Sequence, residues 1–203
     1  MGFYPELIRS VFQAVDQDGK LRHRIVAVTS AAPKEGVSYL VNTLAKELAT
    51  QTHKRVLAVD ALALQNLSVA EPSQISRHCS ETQIDNLLTL PVEAAGVGLM
   101  GPRGSSRFGD WLTDPKHRSA CLKALRWNFD YVLIDCPSLT LSSEATTLAP
   151  AVDGVCIVVE AGRTRRGQIQ RAQQIIESSG GNFLGFVLNR IRYPVPNWLY
   201  QRL

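Results

Sequence analysis

The amino-acid sequence predicts an α/β fold, a mainly parallel sheet with helices on both faces. Two observations lead there. Short β-branched runs alternate with longer amphipathic stretches along the chain, and the runs that lead into Thr29, Asp60 and Asp135 read as buried strands that end on polar residues. A helix over about 4–16 opens the chain, with Leu7 and Val11 on one face and Phe12 close by. Ile25 to Val28 is the first strand; a loop from Thr29 to Gly36 follows, then Leu40, Leu44 and Leu48 recur at helical spacing. Arg55 to Val59 forms a second strand ending on Asp60, and Val97 to Met100 a third candidate, closed by Gly101-Pro102. Between them, Gln65 to Val92 is polar and weakly periodic. A helix from about Pro115 to Trp127 leads into the strand Tyr131 to Asp135, bounded by Pro137. Gly154 to Val159 and Leu184 to Leu188 are two further strands, separated by a helix over Arg165 to Ser178 that ends at Ser179-Gly180-Gly181. Tyr193 to Leu203 reads as a tail with a short helix.

With 203 residues, of which 45% are hydrophobic, the chain can bury one sizeable core, and residues 1–203 are expected to form one domain. The formal charge of +4 makes the surface mildly basic without selecting a partner. Cys79, Cys121, Cys136 and Cys156 stand at no metal-ligand spacing, which fits thiols packed as small hydrophobes in a reducing compartment. No apolar run approaches the roughly 20 residues of a membrane span, and the N-terminus lacks the basic-then-apolar order of a signal peptide. The expected place is the cytoplasm, with recruitment to the inner face of the membrane through a partner.

In an open α/β sheet, ligands gather beyond the carboxyl ends of the strands. Three features fall there. The segment Thr29-Ser30-Ala31-Ala32-Pro33-Lys34-Glu35-Gly36-Val37-Ser38 joins a strand to a helix, so its backbone N–H groups and the helix N-terminus can surround a phosphate. Asp60 and Asp135 end two strands, where a carboxylate can hold magnesium or position a water. Each feature alone has a plainer reading, Ser38 as a helix cap and the aspartates as strand ends. A working phosphate-binding loop reads G-x-x-x-x-G-K-[ST], with the lysine on the β- and γ-phosphates and the hydroxyl on magnesium. Here Gly36-Val37-Ser38 keeps the hydroxyl and has valine in place of the lysine. Lys34, three positions upstream, is either a substitute cation or a solvated loop residue.

Thr29 to Gly36 resembles the loop of the bacterial tyrosine autokinases, the cytoplasmic kinase domains of capsule and exopolysaccharide co-polymerases, within the wider ParA/MinD group of P-loop ATPases. The resemblance continues through Val56 to Ala61 (the second Walker aspartate motif), Asp130 to Pro137 (Walker B), Leu148 to Gly154, Ala161 to Thr164, and Leu184 to Arg190. It implies a P-loop ATPase fold with ATP and magnesium as cofactors. Pro33, Lys34, Glu35, Gly36, Val37, Ser38, Tyr39 and Asn189 would line the nucleotide, with Asn189 reading the adenine edge or simply ending a strand. Ser38, Asp60 and Asp135 would hold the metal, the two aspartates being the catalytic carboxylates. Tyr193 and Tyr200 are what remains of a C-terminal phosphorylation cluster.

Several departures weaken the implied catalysis. Val37 replaces the lysine, Leu62 stands where a second aspartate is usual, and of the oligomerisation pattern E-x-x-R-x-x-R, Glu6 and Arg9 remain while Phe12 takes the last place. The pattern fits a degenerate relative with weak or absent ATP binding. Such a protein would support polysaccharide synthesis or export by contact with a membrane co-polymerase, a related active kinase or a second copy of itself. Glu6, Arg9, Arg163 and Arg165 are the charged contact candidates, with Phe3, Leu7 and Phe12 as apolar ones; the Leu7 face reads equally well as turned to the core. Two alternatives remain: an active autokinase or ATPase that uses Lys34, and a ParA/MinD-like positioning ATPase. Arg163, Arg165, Arg166 and Arg171 form a basic face, but no nucleic-acid motif accompanies them.

Overall fold

The computed structural model describes residues 5–12, 24–65, 80–81, 87–90 and 114–191. Cys79, Phe3, the candidate strand at 97–100, Tyr193, Tyr200 and the remainder of the tail lie outside these residues. In chain order the elements are α1 (Pro5–Leu7), which continues into a π-helical turn (Ile8–Phe12), β1 (Ile25–Ser30), α2 (Val37–Thr52), β2 (Val56–Asp60), α3 (Ala61–Gln65), β3 (Ser80–Glu81), β4 (Leu87–Leu90), α4 (Pro115–Asn128), β5 (Tyr131–Asp135), α5 (Glu144–Leu148), β6 (Gly154–Glu160), α6 (Arg166–Ser178) and β7 (Phe183–Asn189).

The strands form one sheet in the order β3-β4-β2-β5-β1-β6-β7. Every pairing is parallel except β3 with β4. The chain leaves β1 toward one edge, returns through β5, then crosses to the other edge, so the direction of winding reverses beside β1. That reversal opens a crevice at the carboxyl ends of the central strands. Register there is tight: Asp60 stands opposite Asp135, and Asp135 opposite Val28.

Because β1, β2, β5 and β6 are covered on both faces, they are apolar almost throughout. On one face, Leu40, Leu44 and Leu48 of α2 pack on Val26, Val28, Ala58 and Leu133. The other face is filled by α3, α4, α5 and α6 through residues such as Leu64, Leu125, Leu148 and Ile176. The predicted sheet and the predicted helices after Gly36, over Pro115 to Trp127 and over Arg165 to Ser178 thus appear with the expected layering, while the opening helix is described over Pro5 to Phe12. Cys121, Cys136 and Cys156 are buried and none forms a disulfide. Burial pushes the Cys156 thiol up to about 12, and burial followed by the charge of Asp135 raises that of Cys136, so neither is a thiolate near neutrality.

The structure changes or adds to the sequence reading at four places. The N-terminal stripe belongs to the core: Ile8, Val11 and Phe12 are buried, and Phe12 meets Tyr131 edge-on at 5.9 Å. Phe12 is therefore unavailable for a contact surface, whereas Glu6 and Arg9 are exposed. The polar segment before Pro91 contributes β4, which pairs with β2 through only four residues. Helices α3 and α5, five residues each, are too short to show a helical period. In β7, Leu184 is an extra residue opposite the Val155-Cys156 step, and Gly185 beside it adopts φ 145°, open to glycine.

At the amino edge of the sheet, Asp153 accepts from the backbone N–H groups of Arg24 (2.8 Å) and Ile25 (2.7 Å) and pairs with Arg126 at 2.5 Å. Burial raises the Asp153 carboxyl, but the Arg126 guanidinium and those two N–H groups outweigh it and hold the carboxyl below its ordinary range. A depressed acid stabilises the fold above its unfolded value and loses that contribution as pH falls through its folded value. Asp153→Asn should cost about 1–2 kcal/mol at pH 7, less than the 3–5 kcal/mol of a fully buried pair because this one keeps partial exposure. The cost should shrink below pH 4; equal denaturant midpoints for the two proteins at pH 7 would refute the clamp.

Candidate functional site

The loop between β1 and α2 is held from beneath by side chains. Lys34 and Gly36 both take positive φ, 65° and 90°, which turns the chain sharply into the helix. Glu35, between them, points inward and is only 1% exposed. Its Oε2 accepts from the Ala32 N–H at 2.8 Å, and its Oε1 from the Thr164 hydroxyl and, at 3.4 Å, from the Glu160 N–H. Asn189, at the end of β7, donates from Nδ2 to the Glu35 carbonyl at 2.8 Å. A Cβ at position 36 would stand 2.5 Å from that same Nδ2, so the glycine is required by contact as well as by φ. Further out, Glu160 accepts from Arg163 at 2.9 Å and Arg190 at 3.1 Å. The Arg163 hydrogen bond is the main reason its carboxyl lies below the usual range.

Helix α2 begins directly after Gly36 with no side-chain cap. First-turn N–H groups have no intrahelical acceptor, so this start can receive an anion. Ser38, in that turn, lies beside the Asp135 carboxyl, and its hydroxyl acts to lower that group. Burial, with the nearby charge of Asp60 adding to it, pushes the Asp135 carboxyl up to about 6 despite the opposing influence of Ser38. Asp60 in turn accepts from the Leu62 N–H at 2.7 Å. The structure thus brings together Ser38, Asp60 and Asp135, oxygen donors of the kind magnesium takes. Among the described residues no group of three or more His, Cys, Asp or Glu could hold a metal, so such an ion would rest on two carboxylates and a hydroxyl.

The fit to a nucleotide is partial. Val37 packs against the apolar layer beneath α2 and supplies no cation. Lys34 is exposed and Pro33 half-buried in the same turn. Tyr39, 66% exposed, faces solvent from the first turn of α2. Asn189 is engaged by the loop backbone, and Glu35 is turned into the protein rather than toward a ligand. Thr164 and Glu160, which complete the Glu35 brace, were not singled out from sequence as loop supports. The available signal was a hydroxyl four residues beyond the polar end of a strand.

The fold and this loop define a P-loop NTPase architecture, with the loop at the crevice of a parallel sheet and an aspartate on each of two adjoining strands. No family model matches the chain. Its homologues are bacterial tyrosine-protein kinases: CpsD of Streptococcus agalactiae is 25% identical, over 95% of this chain and 86% of CpsD. YwqD of Bacillus subtilis is 25% identical, over 88% of this chain and 75% of YwqD. The succinoglycan biosynthesis transport protein ExoP of Rhizobium meliloti is 28% identical, over 92% of this chain and 25% of ExoP. Among solved structures the fold is shared with the chimerical protein CapA2B2 (TM-score 0.65, 23% identity, 84% of this chain and 77% of that one). The kinase domain of the Escherichia coli tyrosine kinase ETK gives 0.63 at 19% identity, covering 86% and 71%. MinD of Pyrococcus horikoshii, complexed with Mg-ADP, gives 0.56 at 21% identity, covering 88% and 76%. No helix among the described residues is long and apolar enough to cross a membrane.

Proposed function

We propose that this chain is a kinase-like P-loop protein that supports exopolysaccharide or capsule synthesis and export through protein contacts, with weak or no ATP turnover. Residues 1–203 act as one unit in this reading. The observation that carries it is Val37, an aliphatic side chain packed into the α2 layer at the position where a phosphate-binding loop has its lysine. A charge-assisted hydrogen bond contributes roughly 1.5–3 kcal/mol, and phosphoryl transfer further needs a cation on the developing charge. The carboxyl edge around the loop also offers apolar surface: Tyr39 is 66%, Leu62 41% and Leu141 68% exposed. Leu62 stands at the place of a family aspartate, so a polar working position has become a contact position. A membrane co-polymerase or a catalytically competent relative is the partner class that the ExoP and tyrosine-kinase homology favours.

Calorimetric titration with magnesium and ATP tests this reading. The unmodified chain should bind weakly or not at all, and Val37→Lys should tighten binding by roughly 10- to 100-fold, the equivalent of one charge-assisted contact. Tight magnesium-dependent binding that the lysine leaves unchanged would overturn the proposal. A second reading, an active autokinase, is favoured by the exposed Lys34 at the loop's turn. It requires that binding be strong and that Lys34→Ala abolish it.

A further inference from the structure

The exposed face of α4 has no part in the site above. Lys116, Ser119, Ala120, Lys123 and Trp127 recur at helical spacing, and all are exposed. Trp127 is 87% exposed, an extreme value for the most hydrophobic large side chain of a folded protein. The opposite face of the helix, with Cys121, Leu122, Ala124 and Leu125, is committed to the core. Within Pro115–Asn128 there are cations at Lys116, Arg118, Lys123 and Arg126 and no carboxylate. The end of the helix that carries Trp127 is rigid, because the Arg24 guanidinium donates to the Arg126, Phe129 and Asp130 carbonyls at 2.9, 2.8 and 3.2 Å. The neighbouring turn adds Lys54 and Arg55, both exposed and tied to this end by the Arg55 N–H bond to Asp130 at 3.0 Å.

We propose that this face of α4 lies against an anionic phospholipid surface, with Trp127 as its interfacial anchor. Charge complementarity selects the occupant: with Arg126 paired to Asp153 and acids only at the helix ends, Asp114 and Asp130, the exposed Lys116 and Lys123 with Lys54 and Arg55 leave the face net positive, which matches a sheet of negative headgroups. Indole is the side chain best suited to the headgroup level, where one part of it is apolar and the N–H stays wet. Ser119 and Ala120, small and central in the stripe, let the helix axis approach the surface closely. Since the apolar face of α4 is already buried, little hydrocarbon insertion is available beyond the indole. Attachment is therefore weak, reversible and salt-sensitive. It does not depend on nucleotide or on the proposed kinase-like role.

Sedimentation of the full chain with phosphatidylcholine vesicles, with and without one-quarter phosphatidylglycerol, at low and high salt tests the proposal. Binding should require the anionic lipid and disappear at high salt. Lys116→Gln and Lys123→Gln should each weaken it about fivefold, the equivalent of about 1 kcal/mol per basic residue near such a surface. A fluorescence blue shift on binding should be present in the unmodified chain and absent from Trp127→Phe, which separates it from Trp111 and Trp198. All three positions are solvent-facing, so unchanged thermal unfolding is expected. No sedimentation with anionic vesicles at low salt, equal sedimentation of the double lysine variant, or stronger retention on a single-stranded oligonucleotide than on vesicles would each overturn the proposal.

Discussion

Replacing Glu35 with alanine is expected to lower stability by about 3 kcal/mol or more, the largest effect of any single substitution considered. The carboxylate is 1% exposed and accepts from the Ala32 N–H, the Thr164 hydroxyl and the Glu160 N–H. Its removal takes the acceptor from the Ala32 N–H and the Thr164 hydroxyl, while the Glu160 N–H keeps the Thr164 hydroxyl oxygen at 2.9 Å; bonds to a charged group contribute about 1.5–3 kcal/mol each without adding fully. For a chain of this length, the melting temperature should fall by roughly 6–12 °C. Amide exchange at Ala32 should accelerate well beyond the global effect, since its acceptor is gone. Thr164→Val removes one donor to the carboxylate and the 2.9 Å acceptor of the Glu160 N–H but leaves the charge-assisted Ala32 bond in place, and should cost less. A Glu35→Ala protein within about 1 kcal/mol of the parent would show that the carboxylate does not hold the loop, by the ordinary cost of one unmade bond.

Asp135→Asn should do the opposite and stabilise the protein at neutral pH. Burial, and then the charge of Asp60, puts the Asp135 carboxyl at about 6 against its ordinary 3.8. An acid whose folded value is raised favours the fold below its unfolded value, and that contribution is lost as pH rises through the folded one. Above about pH 6 the ionised group is thus a cost, which an uncharged isostere removes. Two pH units correspond to about 3 kcal/mol; with the group's partial exposure, we expect a gain of about 2 kcal/mol at pH 7.5. The gain should vanish below pH 4, where both proteins are neutral at this position. Denaturant unfolding at the two pH values measures it, and a pH-independent difference would place the effect in packing instead of charge.

The layered sheet was legible in the sequence because buried strands write themselves as apolar runs. Val56 to Asp60 and Tyr131 to Asp135 each end on the aspartate that the register brings face to face. Position after a strand was enough to set Asp60, Asp135 and the loop at the carboxyl edge of the sheet. What was not legible depended on contacts distant in sequence. Glu35 sits between a lysine and a glycine in a polar turn, where a carboxylate ordinarily points to water; its burial comes from Thr164, 129 residues away. Phe12 could be placed on a stripe, but only Tyr131 across the sheet decides that the stripe faces inward. β4 has four residues and is recruited by the edge of β2, so tertiary pairing supplies what local pattern does not.

The 2.5 Å approach of Asn189 to position 36 bears on what the glycine of such a loop signifies. Phosphate binding is usually invoked to explain why a loop of this kind keeps its glycine. Here the φ of 90° together with the approach of the Asn189 side chain accounts for it, and both persist whether or not a nucleotide ever visits. A smaller residue at 189 would relieve the contact but not the left-handed backbone of position 36, which still disfavours a side chain. The glycine follows from how the strand and the turn are fitted together, and by itself it carries no information about whether a phosphate binds at the loop.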